Sequence, residues 1–155
     1  MITRREALVA AAGATCTTAA KTGPEPLSND PREALLAFLR AFENCDLPRM
    51  ELAFAADATY FDRAPLFPGD PAQYRRGQGM PPGMRLLAST LPDKVTGPPY
   101  QRVKPENLAC DRYGETALCT FELDSVDALG RRTILLRQQG DGWKIVHIHA
   151  SNIYH

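Results

Sequence analysis

The chain has 155 residues, enough for one domain with a sizeable core; 44% are hydrophobic and 23% charged, as in an ordinary globular protein. Eighteen basic side chains cancel eighteen acidic ones, and this zero net charge gives no electrostatic case for nucleic acid or an anionic membrane surface as a partner. Thirteen prolines imply long irregular connections.

The N-terminus reads as a targeting segment and not as fold. Thr3-Arg4-Arg5-Glu6-Ala7-Leu8 is a paired-arginine start, and an alanine-rich, mildly apolar run follows to Ala14. Small residues close it at Thr18-Ala19-Ala20. This resembles a twin-arginine export signal over residues 1–20, cleaved near Ala20, with the bacterial periplasm as the destination; the alternative is a frayed N-terminal helix or a mis-called start. The run is too short to span a bilayer, so no membrane association is expected after cleavage. Cys16 does not read as a lipidation site, because Gly13-Ala14-Thr15 lacks the large aliphatic residue such sites carry. Residues 21–29 read as a flexible linker ahead of a domain spanning 30–155.

Asp30-Pro31-Arg32-Glu33 opens a helix. Asp30 can cap it, Pro31 suits its first turn, and Leu35, Leu36, Leu39 and Phe42 recur at helical spacing. Asn44-Cys45-Asp46 ends it, and a short second helix runs from Leu47-Pro48 through Leu52 and Phe54. Thr59-Tyr60-Phe61-Asp62 reads as a first strand. A long proline- and glycine-rich loop from Pro65 to Gly83 follows, of a length usually functional or mobile. Met84 to Ser89 forms a third helix. The rest reads as strands: Tyr100 to Cys110, Glu115 to Asp124, Arg131 to Gln139, and Trp143 to Ser151, separated by Asp/Gly-containing breakers. Helices first and a β-meander last predict an α+β domain built on one antiparallel sheet.

Strict alternation along the last strand puts Trp143, Ile145, His147, His149 and Ser151 on one face. With Trp143 in the core, that face looks like a pocket wall ending in titratable and hydroxyl groups. Tyr60 and Asp62 alternate in the same way on the first strand. A carboxylate to move a proton and a hydroxyl to steady a developing oxyanion are what isomerase chemistry requires. Asp62 and His149 are therefore the candidate catalytic groups. Tyr60, Arg137, His147 and Ser151 are the candidate ligand-binding groups, with Arg137 able to hold an anion through two hydrogen bonds. Each also has a structural alternative: Asp62 as a turn cap, the histidines as hydrogen-bonded strand residues, Arg137 as a solvated charge.

Two histidines without an evident third ligand do not make a zinc site, so no metal is expected. No phosphate-binding loop, dinucleotide fingerprint or nucleophile elbow is present, and no cofactor is implied. Cys45, Cys110 and Cys119 have no metal-type spacing and read first as small buried hydrophobes, although an oxidising compartment permits a disulfide and an odd count leaves at least one thiol unpaired. A turn from Asp111 to Gly114 would not set Cys110 opposite Cys119.

The order of three stretches resembles the SnoaL-like branch of the nuclear transport factor 2-like superfamily. They are Ala41-Phe42-Glu43 to Tyr60-Phe61-Asp62, the Arg76-Gly77 pair before the third helix, and Asp141-Gly142-Trp143 to His149-Ala150-Ser151. The last is also similar to the association domain of calcium/calmodulin-dependent kinase II. The resemblance implies a cone: a curved antiparallel sheet wrapped around three N-terminal helices, a cavity open at one end, and a homodimer formed through the outer sheet face. The kinase domain has a basic pocket, but Phe121 and Ile134 stand here where arginines would be expected, so its ligand preference does not carry over. Relatives of this fold include isomerases, cyclases, dehydratases, binding proteins and assembly hubs. The expectation is an exported domain that binds a small, largely apolar molecule in its cavity. The alternatives are an isomerase, cyclase or hydratase using Asp62 or His149 for proton transfer, and an oligomerisation module.

Overall fold

The computed structural model describes residues 29–140 and 142–155. The expected export signal, Cys16, residues 21–28 of the linker and Asp141 of the last turn lie outside the described residues.

Helix α1, Pro31–Glu43, starts where its capping signal predicts, with the Asp30 carboxylate accepting from Arg32 N at 2.9 Å. Helix α2, Leu47–Leu52, is capped in the same way by Asp46. Strand β1, Phe54–Phe61, follows at once. Phe54, expected in the second helix, is in this strand instead and meets Phe38 of α1 edge-on, ring centroids 5.5 Å apart. The long loop carries a short 3-10 turn, Pro71–Tyr74, and the two-residue strand β2, Gly77–Gln78. Helix α3 spans Pro82–Thr90. Strands β3 (Glu106–Tyr113), β4 (Thr116–Asp124), β5 (Ala128–Gln139) and β6 (Gly142–Tyr154) complete the chain.

Residues 100–105, expected at the start of β3, instead form an irregular strap over the end of α1. Tyr100 N and Gln101 N donate to the Glu43 carbonyl, and Val103 N donates to the Glu43 carboxylate at 2.7 Å. Prolines 98, 99 and 105 bring no amide hydrogen to a ladder, so this stretch bonds to the helix end and not to a strand.

The strands form one six-stranded sheet in the order β2-β1-β6-β5-β4-β3. It is antiparallel throughout except for the β1–β6 pair, which is parallel. Its inner face packs on α1. Leu35, Phe38 and Leu39 meet Ala117, Cys119, Phe121, Ile134, Leu136, Trp143, Ile145 and Ile148 in a single core. Each large side chain buried there stabilises the fold by about 1.5–3 kcal/mol. Trp143 is 2% exposed and its indole N–H donates to the Asn29 carbonyl at 3.0 Å, so the expected core role holds.

Two register features differ from the sequence expectation. Leu136 pairs with Ile145 but Leu135 pairs with His147, so Val146 is an extra residue, a β-bulge. The inserted residue reverses the alternation after it. Ile148, 1% exposed, faces the core three residues after Ile145. His147, His149 and Ser151 therefore do not share a face with Trp143 and Ile145; they take the outer phase.

The β3–β4 turn is also tighter than expected. Tyr113 pairs with Thr116 across Gly114-Glu115, and Gly114 has φ +63°, a conformation glycine adopts without strain. The ladder thus reaches further, Cys110 and Cys119 stand directly opposite, and they form a disulfide. Cys45 is a free thiol, and its burial pushes its pKa up.

Candidate functional site

Between the sheet's inner face, α1, α3 and the strap lies a chamber of about 320 Å³. Helix α1 contributes Phe38, Leu39 and Phe42, and α3 contributes Met84 and Leu87. The sheet contributes Phe121, Leu123, Ile134, Ile148 and Ala150, and the strap Val103. Against this apolar lining stand Asp62, Arg63, Gln101, Arg102 and Arg132. A mostly apolar pocket with a few convergent polar groups is the usual form of a small-molecule site.

Asp62 is placed at the end of β1, and it lines the chamber. One carboxylate oxygen, Oδ1, accepts from Arg63 N at 2.8 Å. The other faces the first turn of α3, where a Cβ built on Gly83 would lie 3.6 Å from it. Tyr60 shares the inward phase of Asp62, as alternation predicts, yet it does not line the chamber. Its ring lies across Gly77 of the neighbouring strand β2, where it packs against the core.

The histidines sit elsewhere. His147 is half-buried on the outer sheet face, with Nδ1 hydrogen-bonded to Thr59 Oγ1 at 2.8 Å. Burial pulls its pKa below the ordinary value, and positive charge on His149 and Arg76 pulls the same way. His149 is exposed. The ring of Phe61 lies against both imidazoles, at centroid distances of 5.8 and 6.0 Å. Ser151 follows them in phase. Arg137 forms an exposed ion pair with Asp57 at 2.8 Å, away from the chamber. Of the six residues singled out in the sequence, only Asp62 faces the chamber; His147, His149 and Ser151 are displaced to the other face by the Val146 bulge.

The residue that sequence reasoning missed is Arg132. Ile134 and Leu136 point inward on β5, so Arg132 and Gly130 lie on the same phase. Its guanidinium rests over Gly130 and donates through Nη1 to the carbonyls of Ser151 at 3.0 Å and Arg131 at 2.9 Å. Burial lowers its pKa from the usual arginine value, Arg63 lowers it further, and Asp62 raises it. The guanidinium stays charged. The signal was present in the alternating run Gly130-x-Arg132-x-Ile134-x-Leu136: a bare glycine beside an arginine on an otherwise apolar face. Among the described residues no group of three or more His, Cys, Asp or Glu side chains could hold a metal ion.

Comparison with known proteins places this geometry in context. Residues 82–155 match the SnoaL-like domain family. A candidate association domain of calcium/calmodulin-dependent protein kinase type II from Thiobacillus denitrificans is 20% identical, with TM-score 0.58 over 83% of this chain and 99% of that one. A candidate dehydratase of the NTF2-like family from Streptomyces avermitilis is 21% identical, with TM-score 0.58 over 79% of this chain and 92% of that one. A candidate ketosteroid isomerase from Parabacteroides distasonis is 20% identical, with TM-score 0.54 over 82% of this chain and 91% of that one. No curated protein sequence matches the chain. At these identities the likeness is one of fold.

Proposed function

We propose that this nuclear transport factor 2-like domain, SnoaL-like over residues 82–155, holds a small, largely apolar molecule in the chamber between α1, α3 and the sheet. The observation that carries the reading is the lining itself: aromatic and aliphatic side chains from two helices and three strands, with Asp62 and Arg132 among them. A chamber of about 320 Å³ takes a one- or two-ring molecule. Titration with 2-acetylnaphthalene by calorimetry tests it. Ala150→Leu pushes a larger side chain into the space and is expected to abolish binding while the melting temperature holds. Unchanged affinity in that variant would refute the assignment.

A second reading is proton transfer next to a carbonyl. Asp62 is the carboxylate that lines the chamber among the described residues, and His149 stands on the far side of the sheet, so this chemistry rests on Asp62 alone. The expected signature is Asp62-dependent exchange of the methyl protons of 2-acetylnaphthalene for deuterium, followed by NMR. Asp62→Asn is expected to stop exchange and leave binding in place; equal exchange in that variant would remove Asp62 from the chemistry.

Two further parts of the reading concern context. The outer face of the sheet carries Phe61, 39% exposed, and half-buried Leu118, Leu135 and His147. That surface supports pairing with a second copy, and Phe61→Glu is expected to shift the sedimentation coefficient to that of a monomer. Export through the twin-arginine route is supported by the Arg4-Arg5 start and by a disulfide suited to an oxidising compartment. N-terminal sequencing of periplasmic material is expected to begin near residue 21, and material that begins at Met1 would contradict cleavage.

A further inference from the structure

We infer that the molecule the chamber accepts is an anion: an apolar body carrying a carboxylate that Arg132 engages. The inference rests on the reading of the chamber as a ligand site and narrows the class of ligand.

Four observations converge. First, the position is built for a guanidinium. Gly130 is buried and bare, and a Cβ there would stand 3.0 Å from Arg132 Nη1, 3.1 Å from Nη2 and 3.3 Å from Cζ. The guanidinium therefore lies close over the bare backbone of the glycine, and a side chain at 130 would make it give by a few tenths of an ångström. Second, the group is fixed on one side only. Nη1 donates to the Ser151 and Arg131 carbonyls and, at 3.4 Å, to Asn152 Oδ1. Nε and Nη2 donate to no acceptor among the described residues. That is the edge with which a guanidinium grips a carboxylate through two parallel hydrogen bonds.

Third, no carboxylate pairs with it directly, and Asp62 acts on it only through the longer-range field. The ion pairs among the described residues are Arg49–Asp46, Arg85–Glu51 and Arg137–Asp57. Asp62 shares the chamber with Arg132 but lies beyond ion-pair distance, with one oxygen committed to Arg63 N. Fourth, the charged groups lining the chamber are Arg63, Arg102 and Arg132 against Asp62 alone, although the chain as a whole is neutral. A cation partly withdrawn from water, next to apolar walls and hydrogen-bonded on one side without a carboxylate in contact, carries a desolvation cost. An incoming anion removes that cost, and the low-polarity surroundings strengthen the attraction relative to water.

The test compares two isosteric probes, 2-naphthoate and its neutral amide 2-naphthamide, by calorimetry at 0.15 M salt. With the unaltered protein the acid is expected to bind about 10- to 100-fold more tightly than the amide, the range of a charge-assisted pair of hydrogen bonds. In Arg132→Met the ratio is expected to fall to about one, with amide binding retained. Arg132→Lys keeps the charge but loses the two-pronged edge and is expected to show an intermediate ratio. Equal affinity for both probes in the unaltered protein would overturn the anion inference and leave the chamber reading standing. Acid preference undiminished in Arg132→Met would remove Arg132 from the role. Binding of neither probe would overturn the chamber reading and this inference together.

Discussion

The bulge at Val146 decides which side of β6 is core, and one pair of substitutions measures it. Ile148 is 1% exposed, belongs to the same core as Leu136 and Ile134, and lines the chamber. Ile148→Ala removes about three carbon groups at roughly 0.8 kcal/mol each, or ~2.4 kcal/mol of transfer free energy. A cavity contribution adds to this, but the side chain already borders open space, so the total is expected near the lower part of the usual range, about 2.5–3.5 kcal/mol. His149, the next residue, is exposed and touches Phe61 at 6.0 Å; His149→Ala is expected to cost about 0.5 kcal/mol or less. For a domain of this size those losses correspond to falls in Tm of roughly 8–15 °C and about 2 °C. Trp143 is the single tryptophan and is buried, so its fluorescence reports urea unfolding directly. Both variants are expected to keep the unaltered m-value. If His149→Ala cost as much as Ile148→Ala, the histidines would face inward and the register argued above would be wrong.

Gly77→Ala is expected to destabilise the fold by about 1–3 kcal/mol, because the new Cβ would fall within the Tyr60 ring, 2.1 Å from Cζ. An equal loss in a Tyr60→Leu background, by the same urea assay, would refute that contact as the cause. His147 has a lowered pKa in the fold, so between that value and the ordinary 6.5 the unfolded chain binds more protons. Its contribution is therefore complete above about 6.5 and is lost as pH falls through that window. His147→Gln is expected to flatten the loss of stability between pH 7.5 and 5 in urea titrations; a slope unchanged by the substitution would refute the linkage. The Cys110–Cys119 disulfide closes a loop with sequence separation 9, and reduction is expected to lower stability by roughly 2.5–3 kcal/mol. A Cys110→Ala/Cys119→Ala variant is expected to ignore the reductant, and an unaltered protein equally indifferent to it would contradict the bridge.

The elements were legible where their signals are local. Asp30-Pro31 supplied a helix start through a side chain that reaches its own backbone, and that cap forms as read; Asp46, read as the end of the first helix, also caps the second. Strands β4, β5 and β6 alternate over many residues, and Trp143 announced the core. Asp62, read from the alternation of a short strand, lines the chamber. The fold class followed from element order, since helices followed by a meander have few ways to bury one sheet face.

What the tertiary structure decided concerns partners distant in sequence. The Val146 bulge is visible only in the pairing of β6 with β5, and no residue of the strand marks it. One extra residue exchanged the two faces and turned His147, His149 and Ser151 away from the chamber. The disulfide likewise depended on where a turn closed, and a two-residue shift brought Cys110 opposite Cys119. Arg132 was readable as an inward arginine once the phase of β5 was set, but its unpaired edge was not. That is a property of which carboxylates the folded chain brings near, and the folded chain leaves Asp62 beyond ion-pair distance. Alternation and capping are written residue by residue, whereas register and charge pairing are set by whichever strand or side chain arrives from elsewhere.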